Sequence, residues 1–290
     1  MQAFEYQAAS STEEALSIIS DGNRRVKILS GGTDLLVQLR EGRQQADLIL
    51  DVKKIPELME VSFEPLQGLQ IGAAASCFQI CHDPAVIAHY PGLVDAISLI
   101  GGVQIQNRAS VGGNLCNASP AADATPALIV HEAICQIRGL QGKRSVPVEQ
   151  FCTAPGKTIL QPGELLVSIL IPPIRPRFGA HYLRFIPRNE MDIAVVGAGA
   201  AVTLDEDKSH FLSARLALAA VAPTPLFVTE AGDFLAGREI SAQVIQEAAA
   251  IAQAAARPIS DMRGTAEQRR RLTSVLARRA LEGAISRARQ

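Results

Sequence analysis

Blocks of apolar residues separated by polar turns open the chain, and each block predicts one short element. Ser11 to Glu14 fits a capping box, and the apolar residues after it predict a helix that ends at Asp21. Continuous apolar runs predict buried strands at Val26 to Leu29 and at Asp47 to Val52. An apolar pattern also covers Leu35 to Leu39, between these two strands. The chain therefore begins with helices and strands in alternation.

A long polar segment interrupts the same kind of pattern in the middle of the chain. The apolar periodicity predicts strands at Leu69 to Ala73, Ala133 to Arg138 and Leu165 to Ile171, and helices at Ser76 to Cys81, Leu93 to Ile100 and Ala124 to His131. The segment from Gly101 to Asp123 is rich in Gly, Asn, Ser and Pro. A loop of that length inside a compact domain is usually functional, so we expect a binding loop here.

Prolines between Pro172 and Pro176 indicate a boundary before the last part of the chain. Beyond them, Ile193 to Leu204 and Ala214 to Val221 have the apolar content of buried strands. The segments Ser241 to Ala256 and Thr265 to Arg287 are Ala-rich and periodic, as long helices are, and the second begins with another capping box. The second half therefore predicts a sheet covered by helices.

The composition is that of a globular protein without an overall charge that would attract nucleic acid. Hydrophobic residues make up 48% of the chain and charged residues 20%, and 28 Lys and Arg against 29 Asp and Glu leave a net charge of -1. Such a balance provides no long-range field for nucleic acid or for an anionic membrane. No run of about 18 apolar residues is present, so we expect no membrane span.

The cysteine and histidine positions predict neither a metal site nor a disulfide framework. The five cysteines are scattered and form no CxxC pair, which indicates free thiols in a cytoplasmic protein. The five histidines show no HxH or HExxH spacing. No Ser-His-Asp or paired-carboxylate arrangement is evident either.

Each of two turns contains adjacent glycines, and this pair of turns is the strongest candidate for a binding site. In Ser30 to Asp34, the glycines allow several backbone N–H groups to point at one anion, such as a pyrophosphate. One such turn by itself is more often an ordinary tight turn. The segment from Ser110 to Asp123 adds a second glycine pair with hydroxyl and amide side chains, a set suited to phosphate, ribose and ring-edge hydrogen bonds. Together the two turns predict a dinucleotide site.

These motifs resemble those of a known family, the medium, flavin-binding subunits of xanthine dehydrogenase-type molybdenum hydroxylases. That family includes carbon monoxide dehydrogenase, hydroxybenzoyl-CoA reductase and nicotinate dehydrogenase. The resembling segments are Lys27 to Leu36, Gln104 to Asn107, Ser110 to Asp123, Glu164 to Leu166, Arg188 to Ala194 and Asp261 to Arg270. They occur in order and span nearly the whole chain, so the resemblance is specific.

The resemblance implies an α+β fold of two domains. The first would be an FAD-binding domain of the PCMH type, similar to vanillyl-alcohol oxidase, at residues 1–175, with subdomains at about 1–55 and 56–175. The second would be a smaller α+β domain of sheet plus helices at residues 178–286. FAD would be the cofactor of this chain. A small subunit with [2Fe–2S] clusters and a large subunit with molybdopterin would be its partners in a dimer of heterotrimers, and NAD or another molecule would accept the electrons.

The site residues are also implied by position. Residues 27–34 would surround the adenine side and the pyrophosphate of FAD, and the second glycine turn would hold the diphosphate and the flavin side. Asp123 would bind sugar or ribityl hydroxyls. Arg184 stands where the family often has Lys, and because a guanidinium does not give up its proton, we expect it to act electrostatically on reduced flavin. The full set is Lys27, Ile28, Leu29, Ser30, Gly31, Gly32, Thr33, Asp34, Leu35, Ile100, Gly101, Ser110, Val111, Gly112, Gly113, Asn114, Cys116, Asn117, Asp123, Leu165, Leu166 and Arg184.

Two alternatives and one assembly hypothesis stay open at this point. Gly197 and Gly199 begin a nicotinamide-type GxGxxG, although Val202 replaces the third glycine and a buried strand is the favoured interpretation. A stand-alone FAD-dependent oxidoreductase is the alternative function, but it would need a substrate base that the sequence does not show. The cluster Arg269 to Arg271 on the final helix is a hypothetical assembly face.

Overall fold

A computed structural model of the chain describes residues 3–188 and 190–290. Met1 and Gln2, which begin the predicted first domain, and Asn189, which belongs to the motif at residues 188–194, lie outside the described residues. Within the described ranges, no helix combines the length and the apolar character needed to cross a membrane.

The first part of the fold is a small parallel sheet with two helices. Its elements are β1 (Glu5–Ala8), α1 (Thr12–Ile19), β2 (Val26–Leu29), α2 (Leu35–Arg40) and β3 (Leu48–Asp51). The strand order is β1-β3-β2, and Leu48 in the central strand pairs with both Glu5 and Val26. Ser11 caps α1 by accepting a hydrogen bond from the backbone N–H of Glu14, as the sequence predicts.

The second part surrounds a five-stranded antiparallel sheet. Its elements are α3 (Pro56–Met59), β4 (Val61–Glu64), β5 (Gly68–Gly72), α4 (Cys77–His82), α5 (Pro84–His89), α6 (Pro91–Ile97), α7 (Val103–Gln106), α8 (Val111–Cys116), α9 (Ala124–Val130), β6 (Ile134–Gly139), β7 (Gly142–Pro147), β8 (Cys152–Ala154), β9 (Lys157–Thr158) and β10 (Leu165–Ile171). The sheet order is β4-β5-β10-β6-β7, and β8 and β9 form a separate hairpin.

The segment predicted as a continuous loop, residues 101–123, contains two short helices, α7 and α8. The loop prediction is therefore wrong over these residues. Gly, Asn and Ser are weak helix formers, but Ser110 caps α8 by accepting a hydrogen bond from the N–H of Gly113. Val111 and Leu115 are fully buried, so tertiary packing outweighs the low helix propensity of this segment.

The third part is a four-stranded antiparallel sheet covered by three helices. Its elements are β11 (Phe178–Phe185), β12 (Val196–Leu204), β13 (Phe211–Ala219), β14 (Leu226–Phe227), α10 (Thr229–Leu235), α11 (Ala242–Ala255) and α12 (Ala266–Ala288), with the strands in the order β11-β12-β13-β14. All nine residues of β12 are buried. The predicted central strands and both long helices are confirmed, although β12 begins three residues later than the predicted Ile193.

The hydrophobic core of the second part extends past the proline boundary. Ala180, Tyr182, Ala201 and Ala217 belong to the same buried cluster as the residues of the five-stranded sheet. Asp95 in α6 also forms an ion pair with Arg287, near the end of α12. The α+β fold class is confirmed, while the exact domain limits remain predictions.

Candidate FAD site

The two glycine turns lie against each other. The first follows β2 at the carboxyl end of the parallel sheet, and the second forms the start of α8. The hydroxyl oxygens of Ser30 and Ser110 are 2.7 Å apart, and Gln38 Nε2 donates to Asn117 Oδ1 over 3.0 Å. Two segments that are about eighty residues apart in sequence therefore form one surface.

Glycine is required in the first turn for two different reasons. A Cβ atom on Gly31 would lie 2.6 Å from the backbone oxygen of Arg108, so this position decides how closely the turns approach. Gly32 has a φ of 77°, a conformation that favours glycine. Among the described residues, the backbone N–H groups of Gly31, Gly32 and Thr33 have no hydrogen-bond acceptor. These donors are therefore free to bind an anion.

A cavity of about 500 Å³ runs between the turns and across the ends of β5 and β10. That volume is within the usual range for a cofactor site. Seventeen of the sequence-predicted site residues line it, namely Lys27, Ile28, Ser30, Gly31, Gly32, Thr33, Asp34, Leu35, Ile100, Ser110, Gly112, Gly113, Asn114, Cys116, Asn117, Leu165 and Leu166. Asn114 Oδ1 is buried without a partner in the described part of the chain. An elongated group with phosphate oxygens and hydroxyl or N–H donors fits this donor set, and FAD is such a group.

Nine further residues line the cavity and were not predicted. They are Gln38, Arg43, Gln44, Val52, Leu58, Ala73, Ala74, Gly156 and Leu160. Gln38 is one helical turn after Asp34, so the spacing of four residues was a signal for it. Gly156 belongs to the turn between β8 and β9, where the Pro155-Gly156 pair was a local signal. No sequence feature predicted Arg43 or Ala73 as cavity residues, because only folding brings them to the cavity.

Three other predicted residues do not face the cavity. Leu29 and Val111 belong to hydrophobic clusters and are at most 9% exposed. Gly101 has a φ of 62° and lies against Ile105. Each neighbours a residue on the cavity wall, and their assignment to the FAD site remains a prediction.

Asp123 and Arg184 form a buried ion pair that is not part of the cavity wall. Arg184 Nη1 donates to Asp123 Oδ2 over 2.6 Å, and the hydroxyl of Tyr182 donates to Oδ1 over 2.8 Å. Burial raises the pKa of the Asp123 carboxyl to about 6, although Arg184 and Tyr182 act in the opposite direction. The hydrogen bonds from Arg184 and Tyr182 therefore favour the ionised form of the carboxyl, against the effect of burial. Contact of this pair with FAD remains a prediction.

Asp34 and Cys116 are two polar side chains on the cavity wall. Desolvation raises the pKa of Asp34, and Arg43 opposes this change. Cys116 is a free thiol that is exposed to the cavity, and neighbouring protein atoms raise its pKa.

The glycines of the rival nicotinamide motif lie inside a strand. Gly197 and Gly199 are buried positions of β12. A Cβ atom on Gly197 would lie 2.3 Å from the Tyr182 hydroxyl, and one on Gly199 would lie 3.2 Å from the backbone of Pro126. A nicotinamide fingerprint requires a helix directly after the glycines, whereas β12 continues to Leu204. The nicotinamide interpretation is therefore wrong, and the glycines serve packing.

Over residues 3–188 and 190–290, no three or more His, Cys, Asp and Glu side chains come together in an arrangement that could hold a metal ion. All five cysteines are free thiols.

Family models match both halves of the chain. Residues 2–174 match the model described as the FAD binding domain in molybdopterin dehydrogenase. The chain belongs to this flavoprotein family. Residues 181–284 match the CO dehydrogenase flavoprotein C-terminal domain. FAD is therefore the cofactor of this chain, as the sequence motifs predict.

Individual relatives agree over nearly the full length. The chain is 30% identical to the putative xanthine dehydrogenase FAD-binding subunit of Escherichia coli (strain K12), with 97% of this chain and 96% of that one covered. It is 31% identical to the carbon monoxide dehydrogenase medium chain of Hydrogenophaga pseudoflava, with 98% of each covered. The solved carbon monoxide dehydrogenase from H. pseudoflava superposes with a TM-score of 0.94 at 30% identity, covering 99% of this chain and 98% of that one. This family member is therefore an oxidoreductase subunit of the xanthine dehydrogenase and carbon monoxide dehydrogenase type.

Proposed function

We propose that this chain is the electron-relay subunit of a molybdenum hydroxylase. It would take electrons from the [2Fe–2S] clusters of a small partner subunit, while a large partner subunit holds molybdopterin and oxidises the substrate. NAD or another molecule would accept the electrons, and the enzyme would be a dimer of heterotrimers in the cytoplasm. The residues 1–175 would form the FAD-binding domain and the residues 178–286 the C-terminal domain.

The observation that carries this proposal is the meeting of both glycine turns at one cavity. The Ser30–Ser110 contact joins a turn from the three-stranded sheet to a helix start beside the five-stranded sheet. A single glycine turn would suit any anion, but two converging turns suit a dinucleotide that extends between them. When bound, FAD supplies the ability to accept single electrons and to release a pair.

The residues of the chain have separate tasks in this proposal. The N–H groups of Gly31, Gly32 and Thr33, which have no acceptor among the described residues, bind pyrophosphate oxygens. Asn114 offers Oδ1, which has no partner within residues 3–188 and 190–290, as an acceptor for a ligand hydroxyl or N–H group. Leu165 and Leu166 provide an apolar wall that excludes water. None of these groups has to give or take a proton, which agrees with a chain that contributes no catalytic side chain.

Co-expression with the genes for the two partner subunits tests the relay. The complex and the isolated chain are purified, the released cofactor is identified by mass, and iron and molybdenum are measured. We expect FAD in both samples and iron and molybdenum only in the complex, where added substrate bleaches the flavin absorption. A complex that contains iron and molybdenum but whose flavin stays oxidised with every substrate that reduces the clusters would contradict the relay. A chain that takes up no FAD in either sample would contradict the proposed site.

A further inference from the structure

A hydrogen bond between two side chains joins opposite parts of the FAD cavity wall. Gln38 Nε2 donates to Asn117 Oδ1 over 3.0 Å, and both residues line the cavity. Gln38 lies in α2, the helix that follows the first glycine turn, and Asn117 is the C-cap residue of α8, which begins with the second. The bond therefore connects the two elements that carry the glycine turns, directly on the surface of the cavity.

This bond occupies one end of the Asn117 amide. A primary amide has an oxygen acceptor at one end and an N–H2 donor at the other. Because Gln38 donates to the oxygen, Nδ2 is the end that remains available, and it has no acceptor among the described residues. Both side chains are partly buried, so water competes for this bond less than it would on a fully exposed surface.

The residue one helical turn before Asn117 offers the opposite kind of group. Asn114 is also on the cavity wall, and its Oδ1 is buried without a partner in residues 3–188 and 190–290. Residues three positions apart are neighbours on one side of a helix. An acceptor at Asn114 and a donor at Asn117 therefore suit a ligand group that itself donates and accepts, such as a hydroxyl or an imide.

We propose that Gln38 is a positioning residue that, by holding Asn117 Oδ1, turns the Asn117 N–H2 group toward FAD, beside the Asn114 acceptor. This inference rests on the proposed function, in which the cavity binds FAD. Without the Gln38 donor, the Asn117 amide is free to rotate, and it has to be ordered again each time the ligand binds. In its reversed orientation, the amide presents a second acceptor and loses its hydrogen bond to the ligand.

The test is the affinity of the chain for FAD, measured by quenching of flavin fluorescence. Gln38→Met introduces a side chain of similar length without an N–H group. We expect the affinity to fall about tenfold, because the donor to the ligand is no longer held in place. Gln79→Met is the matched control, since Gln79 also lies in a helix and donates to an oxygen, that of Met59, but is not part of the cavity wall. We expect the control to bind FAD as the wild type does.

Charged replacements of Gln38 test the direction of the hydrogen bond. Gln38→Lys can only donate, so it keeps the Asn117 oxygen occupied, whereas Gln38→Glu can only accept and engages the N–H2 group instead. The direct effect of each charge on FAD is measured in an Asn117→Ala background and subtracted. After this subtraction, we expect a loss of affinity for Gln38→Glu and none for Gln38→Lys. Any other pattern would overturn the inference.

The same Asn117→Ala background separates positioning from general packing. If Gln38 acts through Asn117, Gln38→Met weakens FAD binding in the wild-type background and has no further effect when Asn117→Ala is present. Equal weakening in both backgrounds, or no weakening in the wild-type one, would overturn the inference and leave the FAD site intact. A wild-type chain that takes up no FAD would instead overturn the proposed function, and this inference with it.

Discussion

Gly31 lies where the turn after β2 comes closest to the segment that leads into α8. Its neighbours at that point are backbone atoms, the oxygen of Arg108 and the Cα of Ala109, and not flexible side chains. Backbone atoms cannot rotate away from an added methyl group. One residue therefore decides how close the two halves of the FAD site can be.

We expect Gly31→Ala to lower FAD affinity at least tenfold and to destabilise the chain by about 1–3 kcal/mol, because the turns are forced apart. The measurements are FAD titration by flavin fluorescence and denaturant unfolding of the chain without added FAD. Gly22→Ala is the control, since Gly22 is exposed and, apart from its own and adjacent residues, no atom of the described chain lies within 4 Å of an added Cβ. Equal FAD affinities for the two variants would contradict this account of Gly31.

The partly buried carboxylate of Asp95 joins three elements. Its oxygens accept hydrogen bonds from Arg287 in α12 over 3.0 Å and from the backbone N–H of Tyr182 in β11 over 3.3 Å, and His181 Nδ1 is 2.7 Å away. Burial raises the pKa of Asp95, but the hydrogen bonds from His181 and Arg287 prevail and lower it to about 2. The ionised carboxylate therefore stabilises the junction of α6, β11 and α12.

The lowered pKa of Asp95 predicts a contribution to stability that depends on pH. This contribution is fully present above the unfolded-state pKa, near 3.8, and is lost as the pH falls toward the folded value of about 2. After allowance for solvent screening, its size is about 1–2 kcal/mol. We expect the unfolding free energy of Asp95→Asn to depend less on pH over this range than that of the wild type, as measured by urea unfolding. Parallel profiles for the two proteins would contradict the prediction.

At the scale of elements, the final helix α12 has a buried arginine inside its basic cluster. Arg269 is 3% exposed, and its guanidinium donates to the backbone oxygens of Val195 and Ala220 over 3.0 Å each and to Asp261 over 2.8 Å. The hypothesis that Arg269 is part of an assembly face is therefore wrong. The cluster straddles the boundary between the buried and the exposed face of the helix.

Two neighbouring arginines should accordingly differ in their effect on stability. We expect Arg269→Ala to destabilise the chain by about 2–4 kcal/mol, because two backbone carbonyl oxygens, that of Val195 buried and that of Ala220 partly buried, and Asp261 lose their partner. Arg270→Ala should stay within about 0.5 kcal/mol, since Arg270 is exposed. Guanidinium unfolding of both variants is the measurement. Similar losses of unfolding free energy in the two variants would show that the hydrogen bonds of Arg269 are not the main source of its stabilising effect.

The strands that the sequence predicts and those that it misses differ in their place in the sheets. The predicted strands β3, β5, β6, β10, β12 and β13 are central, and only β2 among the predicted strands is an edge strand. The missed strands β1, β4, β7, β11 and β14 are all at edges, and β8 and β9 form a two-stranded hairpin. Central strands are covered on both sides and carry long apolar runs, whereas edge strands are shorter or more polar.

At the scale of the whole molecule, the hydrophobic core continues across the proline boundary at residues 172–176. The cluster that fills the second part of the fold includes Ala180, Tyr182, Ala201 and Ala217, all from the C-terminal sheet. The Asp95–Arg287 ion pair crosses the same boundary. Regions that share one core are expected to unfold together.

We expect the full chain to unfold in a single calorimetric transition, and a fragment of residues 1–175 to be poorly folded. Without the C-terminal sheet, the fragment would expose the apolar surface that now packs against Tyr182 and Ala201. Scanning calorimetry of the full chain and circular dichroism of the fragment are the measurements. A fragment that unfolds cooperatively and binds FAD with the affinity of the full chain would show that the two regions are independent.

The sequence by itself determined the features that depend on neighbours a few residues away. Capping boxes at Ser11 and Thr265 begin the helices where the side chains do cap them, and continuous apolar runs locate the central strands. The paired glycines locate the cavity, because their backbone freedom is a local property. Only the tertiary structure decided which partners meet, such as Ser30 with Ser110, Arg269 with Val195, and Tyr182 with Asp123 and Gly197. Local periodicity reports how a residue relates to its own helix or strand, whereas these contacts depend on how distant segments pack against one another.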